Sequence, residues 1–136
     1  LKETYGDAVN LIEGRYKASE FFFVANGLTK EPEGGKRCEK CFELRLYETA
    51  KVAKEGGYRY FCTTLTVSPH KNADIINEIG KAAEVKYGVE FLPSDFKKRG
   101  GYQRSCELSQ KNELYRQNYC GCIYSKYAHI KADDEE

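Results

Sequence analysis

The chain has 136 residues, 40% hydrophobic and 32% charged, which is ordinary for one soluble domain large enough to bury a real core. No apolar run approaches the roughly 20 residues that span a bilayer. The opening Leu1-Lys2-Glu3-Thr4-Tyr5-Gly6-Asp7 is polar and acidic, so neither a membrane span nor a signal peptide is expected, and a cytoplasmic protein is. A formal net charge of +1 carries no general basic excess, so an RNA partner would have to meet a local patch.

In chain order, residues 8–13 have the apolar content of a short strand ending at Gly14. Residues 17–28 read as a helix with Phe21, Phe22, Val24, Ala25 and Leu28 on its apolar face. Phe21-Phe22-Phe23 reads as core rather than as a ligand pocket. After the break at Glu31-Pro32-Glu33-Gly34-Gly35, a helix is expected over residues 36–54, stopped by Gly56-Gly57. Leu44, Leu46, Ala50 and Ala53 can pack it onto a sheet. Cys38 and Cys41 leave one face of its first turn, and Arg45 continues that face.

Residues 58–66, rich in aromatic and β-branched side chains, form the strongest strand signal. It runs through Val67 into Ser68-Pro69-His70-Lys71-Asn72. The helix expected over 73–87 buries Ile75, Ile76, Ile79, Ala82, Ala83 and Val85, and Gly88 ends it. Residues 89–92 are a second short strand, 96–101 a basic flexible loop, and 102–111 a polar helix. The acidic residues 133–136 close the single domain as a solvated, frayed tail. Strand–helix alternation implies an α/β fold, a mainly parallel sheet with flanking helices. Ligands in such folds sit in loops that follow strand C-termini.

Of the six cysteines, four are paired by spacing: Cys38 with Cys41, and Cys120 with Cys122. Thiolates suit zinc and iron–sulfur clusters, and C-x-x-C at a helix start is favoured because the helix dipole stabilises anions. Spacing does not separate iron from an all-thiolate zinc site. Cys62 and Cys106 have no partner spacing and read as buried and inert.

A second constellation is Thr63, Thr64, Ser68, His70, Lys71 and Asn72. Hydroxyls, an amide and a cation before a helix N-terminus can hold a phosphate or nucleoside. Equally, Ser68 or Asn72 can simply cap the helix. Lys97, Lys98, Arg99, Arg104 and Arg116, interleaved with Phe96, Tyr102, Tyr115 and Tyr119, form either an RNA-stacking surface or a solvated charged face. Asp95 is an acid, a base or a loop cap, and His129 reads as a surface residue.

Four segments occur in a fixed order: Arg37-Cys38-Glu39-Lys40-Cys41-Phe42 with Arg45-Leu46 and Thr49-Ala50; Thr63-Thr64-Leu65 with Ser68-Pro69 and Lys71-Asn72; Asp95-Phe96-Lys97-Lys98; and Tyr115-Arg116-Gln117 with Tyr119-Cys120-Gly121-Cys122. Over about residues 32–125, the chain resembles the epoxyqueuosine reductase family known as QueH. The resemblance implies a HUP-like (nucleotide-hydrolase-like) fold and the last step of queuosine synthesis, in which epoxyqueuosine in tRNA loses its epoxide oxygen. It also implies a 4Fe-4S cluster with an additional mononuclear iron nearby. Cys38 and Cys41 would be cluster ligands, with Cys120 and Cys122 in the same centre. An external electron donor would supply the reaction, leaving the oligomeric state open. Under this reading His70, Asp95 and Tyr119 are candidate proton donors. Thr63, Thr64, Ser68, Lys71, Asn72, Arg116 and Gln117 would position the nucleoside.

The family pattern also has an earlier strand followed by a Cys-Cys-x-x-Cys-like motif, whereas no cysteine precedes Cys38 here and methionine is absent. A copy lacking its first strand and helix is therefore expected. The competing reading, in a different class, is a non-catalytic RNA-binding module held together by zinc.

Overall fold

A computed structural model describes residues 1–15 and 17–127. The expected acidic tail and His129 lie outside the described residues. Helix α1 (Lys2–Tyr5) and a 3-10 turn (Gly6–Ala8) lead into an extended stretch. The strand expected over 8–13 does not form: Leu11 and Ile12 are exposed, and among the described residues no strand pairs with them. Helix α2 (Ala18–Ala25) is shorter than its apolar pattern. Phe23 is 83% exposed and Phe22 is also exposed, so the three phenylalanines are not a core block.

Helix α3 (Lys36–Glu55) carries the main buried stripe, with Phe42, Leu46, Ala50 and Ala53 at helical spacing. It packs on helix α4 (Ala73–Tyr87), whose buried face is Ala73, Ile76, Gly80 and Ala83. Ala82 and Val85, expected in that stripe, are exposed because they fall on its far side. Asn72 caps α4, its Oδ1 accepting the Asp74 and Ile75 N–H groups at 3.0 and 3.2 Å. Gly88 ends it in the left-handed conformation, at φ 72°.

Two short strands, β1 (Tyr60–Phe61) and β2 (Glu90–Phe91), pair in parallel, with Phe61 opposite Phe91. Helix α4 is their crossover, so the arrangement is α/β with a parallel sheet. The outward N–H of Phe91 donates to Glu84 Oε2 at 2.6 Å, which satisfies the free edge of β2 from α4. The long strand expected over 58–66 is cut to two residues. Thr63 Oγ1 accepts the Leu65 N–H at 3.1 Å, and a 3-10 turn (Leu65–Val67) follows. Short hydroxyl side chains here compete with the ladder for backbone N–H groups.

Buried Thr66 then ties the two post-strand loops together. Its Oγ1 shares a hydrogen bond with Ser94 Oγ at 2.9 Å and accepts the Phe96 N–H at 3.1 Å. The expected loop over 96–101 contains a 3-10 turn (Lys98–Gly100), and helix α5 (Gly101–Lys111) follows directly. Residues 123–127 are helical. Among the described residues no helix is long and apolar enough to cross a membrane.

Gly80 sets the spacing between α4 and β2, because a Cβ there would lie only 2.3–2.5 Å from three carbons of the Phe91 ring. Phe91 is 1% exposed and has little room to yield. Overpacking costs about 1–3 kcal/mol, against the ~1 kcal/mol that alanine gains over glycine in a helix. Gly80→Ala should therefore lower the urea midpoint. A raised midpoint would mean that Phe91 moves aside freely.

Candidate metal centre and nucleoside cleft

Helix α3 delivers the first cysteine pair from its opening turns. Cys38 is buried, and its Sγ accepts the Gly34 N–H at 3.2 Å. Cys41 is half-buried and opens on a cleft of about 660 Å³ whose walls include Phe21, Phe22, Arg45, Tyr119 and Cys122. The second pair lies in the segment after α5, where the chain turns at Gly121 with φ 100°. That value suits glycine and strains other residues. Buried Ser125 holds the turn from both sides. Its Oγ accepts the Cys120 N–H at 3.1 Å, and its own N–H donates to Cys122 Sγ at 3.4 Å.

Lys71, from the loop after β1, joins the two halves. Its Nζ donates to Cys120 Sγ at 2.7 Å and sits 5.4 Å from the centre of the Phe42 ring on α3. Burial pushes the Cys41 thiol above its ordinary range. The Arg45 guanidinium opposes this by charge and hydrogen bond, Cys120 adds to it, and Lys71 opposes it.

Each of the four sulfurs therefore meets an N–H donor or a cation: Cys38 the Gly34 amide, Cys41 Arg45, Cys120 Lys71, and Cys122 the Ser125 amide. N–H donors and cations beside sulfur are the partners a metal-bound thiolate takes, so the set fits such a group in kind, while at Cys41 burial still outweighs Arg45 and Lys71 in the metal-free chain. As described, the side chains do not close a ligand set by themselves. Among the described residues no three His, Cys, Asp or Glu side chains are gathered as a ready-made metal site.

A second cleft, of about 500 Å³, lies beside this pair. Thr64, Ser68, His70 and Lys71 line it from one side, and Arg116, Gln117, Tyr119 and Cys120 from the other. Arg45 and Tyr119 line both clefts. Arg116 is held at the rim, donating to Ser105 O at 3.3 Å and Ser109 Oγ at 2.9 Å, with its guanidinium over Tyr102.

Three expected site residues are not brought there. Thr63 serves the turn after β1, and Asn72 caps α4. Asp95 pairs with Lys97 at 3.1 Å and Lys98 at 3.6 Å, lining a separate cleft with Cys62. Cys62 is exposed, contrary to the buried reading, because β1 ends one residue earlier; Cys106 is half-buried. Sequence reasoning passed over Ser125, Glu33 and the cleft-lining role of Phe21 and Phe22, whereas Arg45 lies on the cysteine face that its i+4 step from Cys41 indicated. The i+3 step from Cys122 to Ser125 was the available signal for the serine.

The fold and site define an α/β domain that presents paired thiols between two clefts. A family model described as Epoxyqueuosine reductase QueH matches residues 2–128, and the chain belongs to that family. It is 49% identical over 122 residues to a protein named Epoxyqueuosine reductase QueH from Staphylococcus epidermidis, covering 88% of this chain and 51% of that protein. To the protein of the same name from Streptococcus pyogenes it is 47% identical over 120 residues, 88% of this chain and 47% of the relative. To the one from Thermotoga maritima it is 41% identical over 121 residues, 87% of this chain and 63% of the relative. The chain thus spans about half the length of the first two of these relatives.

Solvent access orders the thiols. Brief alkylation of the metal-free chain should label exposed Cys62 first and buried Cys38 last, read by peptide mass. Equal labelling of the two would contradict the described packing.

Asp95 supplies a pH signature. The Lys97 hydrogen bond, with the Lys97 and Lys98 charges, holds its carboxyl below the ordinary value of 3.8. Its stabilising contribution is thus present above that value and lost as pH falls through the lowered one. The stability gap between the wild-type chain and Asp95→Asn should be open at neutral pH and shrink below 3.8. A pH-independent gap in urea midpoints would rule this out.

Proposed function

We propose that this chain takes part in the reductive removal of the epoxide oxygen of epoxyqueuosine in tRNA, giving queuosine. One observation carries the reading: the Lys71-bridged approach of the two cysteine-bearing segments, directly beside a polar cleft of nucleoside-binding character. Membership in a family described as Epoxyqueuosine reductase supports it. Such a substrate places the protein in the cytoplasm.

In this reading Cys38, Cys41, Cys120 and Cys122 hold a 4Fe-4S cluster, with an additional iron beside it, in one metal-binding domain. The bound group supplies electrons from an external donor. Removing an epoxide oxygen as water, and leaving a carbon–carbon double bond, consumes two electrons and two protons. The protein's part is therefore to hold the nucleoside and deliver protons.

Thr64, Ser68 and Gln117 offer hydroxyl and amide groups to a sugar-like ring, and Arg116 offers a cation to a backbone phosphate. His70 and Tyr119 stand in the wall of the same cleft and are the proton donors it favours. Asp95, engaged with two lysines elsewhere, serves the loop. Lys71 donates to Cys120 Sγ and also lines the cleft.

The test is turnover of epoxyqueuosine-containing tRNA under anaerobic conditions with a strong chemical reductant, followed by nucleoside mass analysis. Loss of one oxygen atom from the nucleoside is expected. Cys41→Ser and Cys120→Ser should abolish it. His70→Ala should slow it by about 10²-fold or more if it is the proton donor. Full turnover after iron removal would overturn the proposal.

A further inference from the structure

The two cysteine pairs lie far apart in the sequence, so something must hold the segment with Cys120 and Cys122 against the start of α3. Arg37, the residue before Cys38, is 5% exposed and faces no carboxylate among the described residues. Its Nη1 instead donates to the carbonyls of Leu28, Thr29 and Glu31, at 3.2, 3.3 and 2.7 Å. Those three bonds fix the guanidinium plane against the α2–α3 connection. The Tyr124 ring then lies 4.6 Å from the guanidinium carbon, and Phe21 of α2 flanks that ring at 6.1 Å.

Tyr124 follows Cys122 by two residues and precedes Ser125, which bonds to both cysteines of the turn. A buried cation that meets no carboxylate among the described residues gains most from an aromatic face, because water does not compete for it. We infer that Arg37 and Tyr124 form a latch that positions the Cys120–Cys122 turn against α3. Both are positioning residues. The positioning role rests on reading the four cysteines as one centre, whereas the latch itself does not.

The test therefore has two separate readouts, on the full chain. In the metal-free chain, hydrogen exchange is followed by mass spectrometry over residues 119–127 and, as a control, over α4. A desolvated cation–π contact corresponds to about a thirtyfold change in local opening. Tyr124→Ala should speed exchange over 119–127 by about that factor and leave α4 unchanged. Tyr124→Leu, which keeps apolar bulk without the ring, should do the same, and Tyr124→Phe should restore wild-type exchange. Unchanged exchange in both Ala and Leu variants, or an equal rise across α4 in both, overturns the latch.

The second readout is iron retained per chain after reconstitution and desalting, expected to fall in the Ala and Leu variants and recover in Tyr124→Phe. Faster exchange with undiminished iron would overturn the positioning role. A wild-type chain that retains no iron fails the proposed function instead, leaving the exchange result to stand alone.

Discussion

Thiols brought near one another repel once they ionise, and Cys41 and Cys120 are close enough for that repulsion to be felt. Two unit charges about 4 Å apart interact by roughly 1 kcal/mol in water and about 4 kcal/mol near a protein surface. Cys41 feels both its burial and the charge of Cys120. Lys71 and Arg45 act in the opposite direction, and backbone amides meet Cys38 and Cys122. A bound metal group would add its own positive charge to this balance, which is why a site of this kind couples ligation to the ionisation of its thiols.

Helix α3 is the support on which these groups converge. Its buried stripe locks against α4 and the paired rings of Phe61 and Phe91, 5.2 Å apart, so its first turn is held by the core rather than by the site. The same α3–α4 packing places Lys71, one residue before the Asn72 cap, over the Phe42 ring. Asn72 therefore serves the site indirectly, by fixing where α4 begins. The C-terminal cysteine segment has few such anchors, and it depends on Lys71, Ser125 and the Arg37–Tyr124 stack.

The helices were largely legible in the sequence because their signals are local. Asn72 and Gly88 bracket α4 with a cap and a left-handed stop, and the apolar stripe of α3 keeps its helical period. The strands were less legible. Tyr58 to Thr66 has the composition of one long strand, but Thr63 and Thr66 spend their hydroxyls on turns and on the Ser94 loop. Which of several threonines bonds its own backbone depends on tertiary partners far along the chain. The site divides the same way. Cys41, Cys120, Cys122, Ser68, His70, Lys71, Arg116, Gln117 and Tyr119 stood out by residue type, and the structure sets them around two adjoining clefts, with Cys38 buried behind them. Asp95 stood out equally by type but is occupied by Lys97 and Lys98, which its own loop supplies. Phe21 and Phe22 looked like core and instead wall the thiol cleft, because the packing of α2 on α3 decides which face of a uniformly apolar run is covered.

The central claim is that the paired cysteines serve redox chemistry rather than structural zinc binding. Anaerobic purification followed by a visible spectrum and joint assay of iron, zinc and sulfide tests it most directly. The account predicts a brown protein with sulfide and about four or more irons per chain. A colourless protein holding one zinc and no sulfide would contradict it.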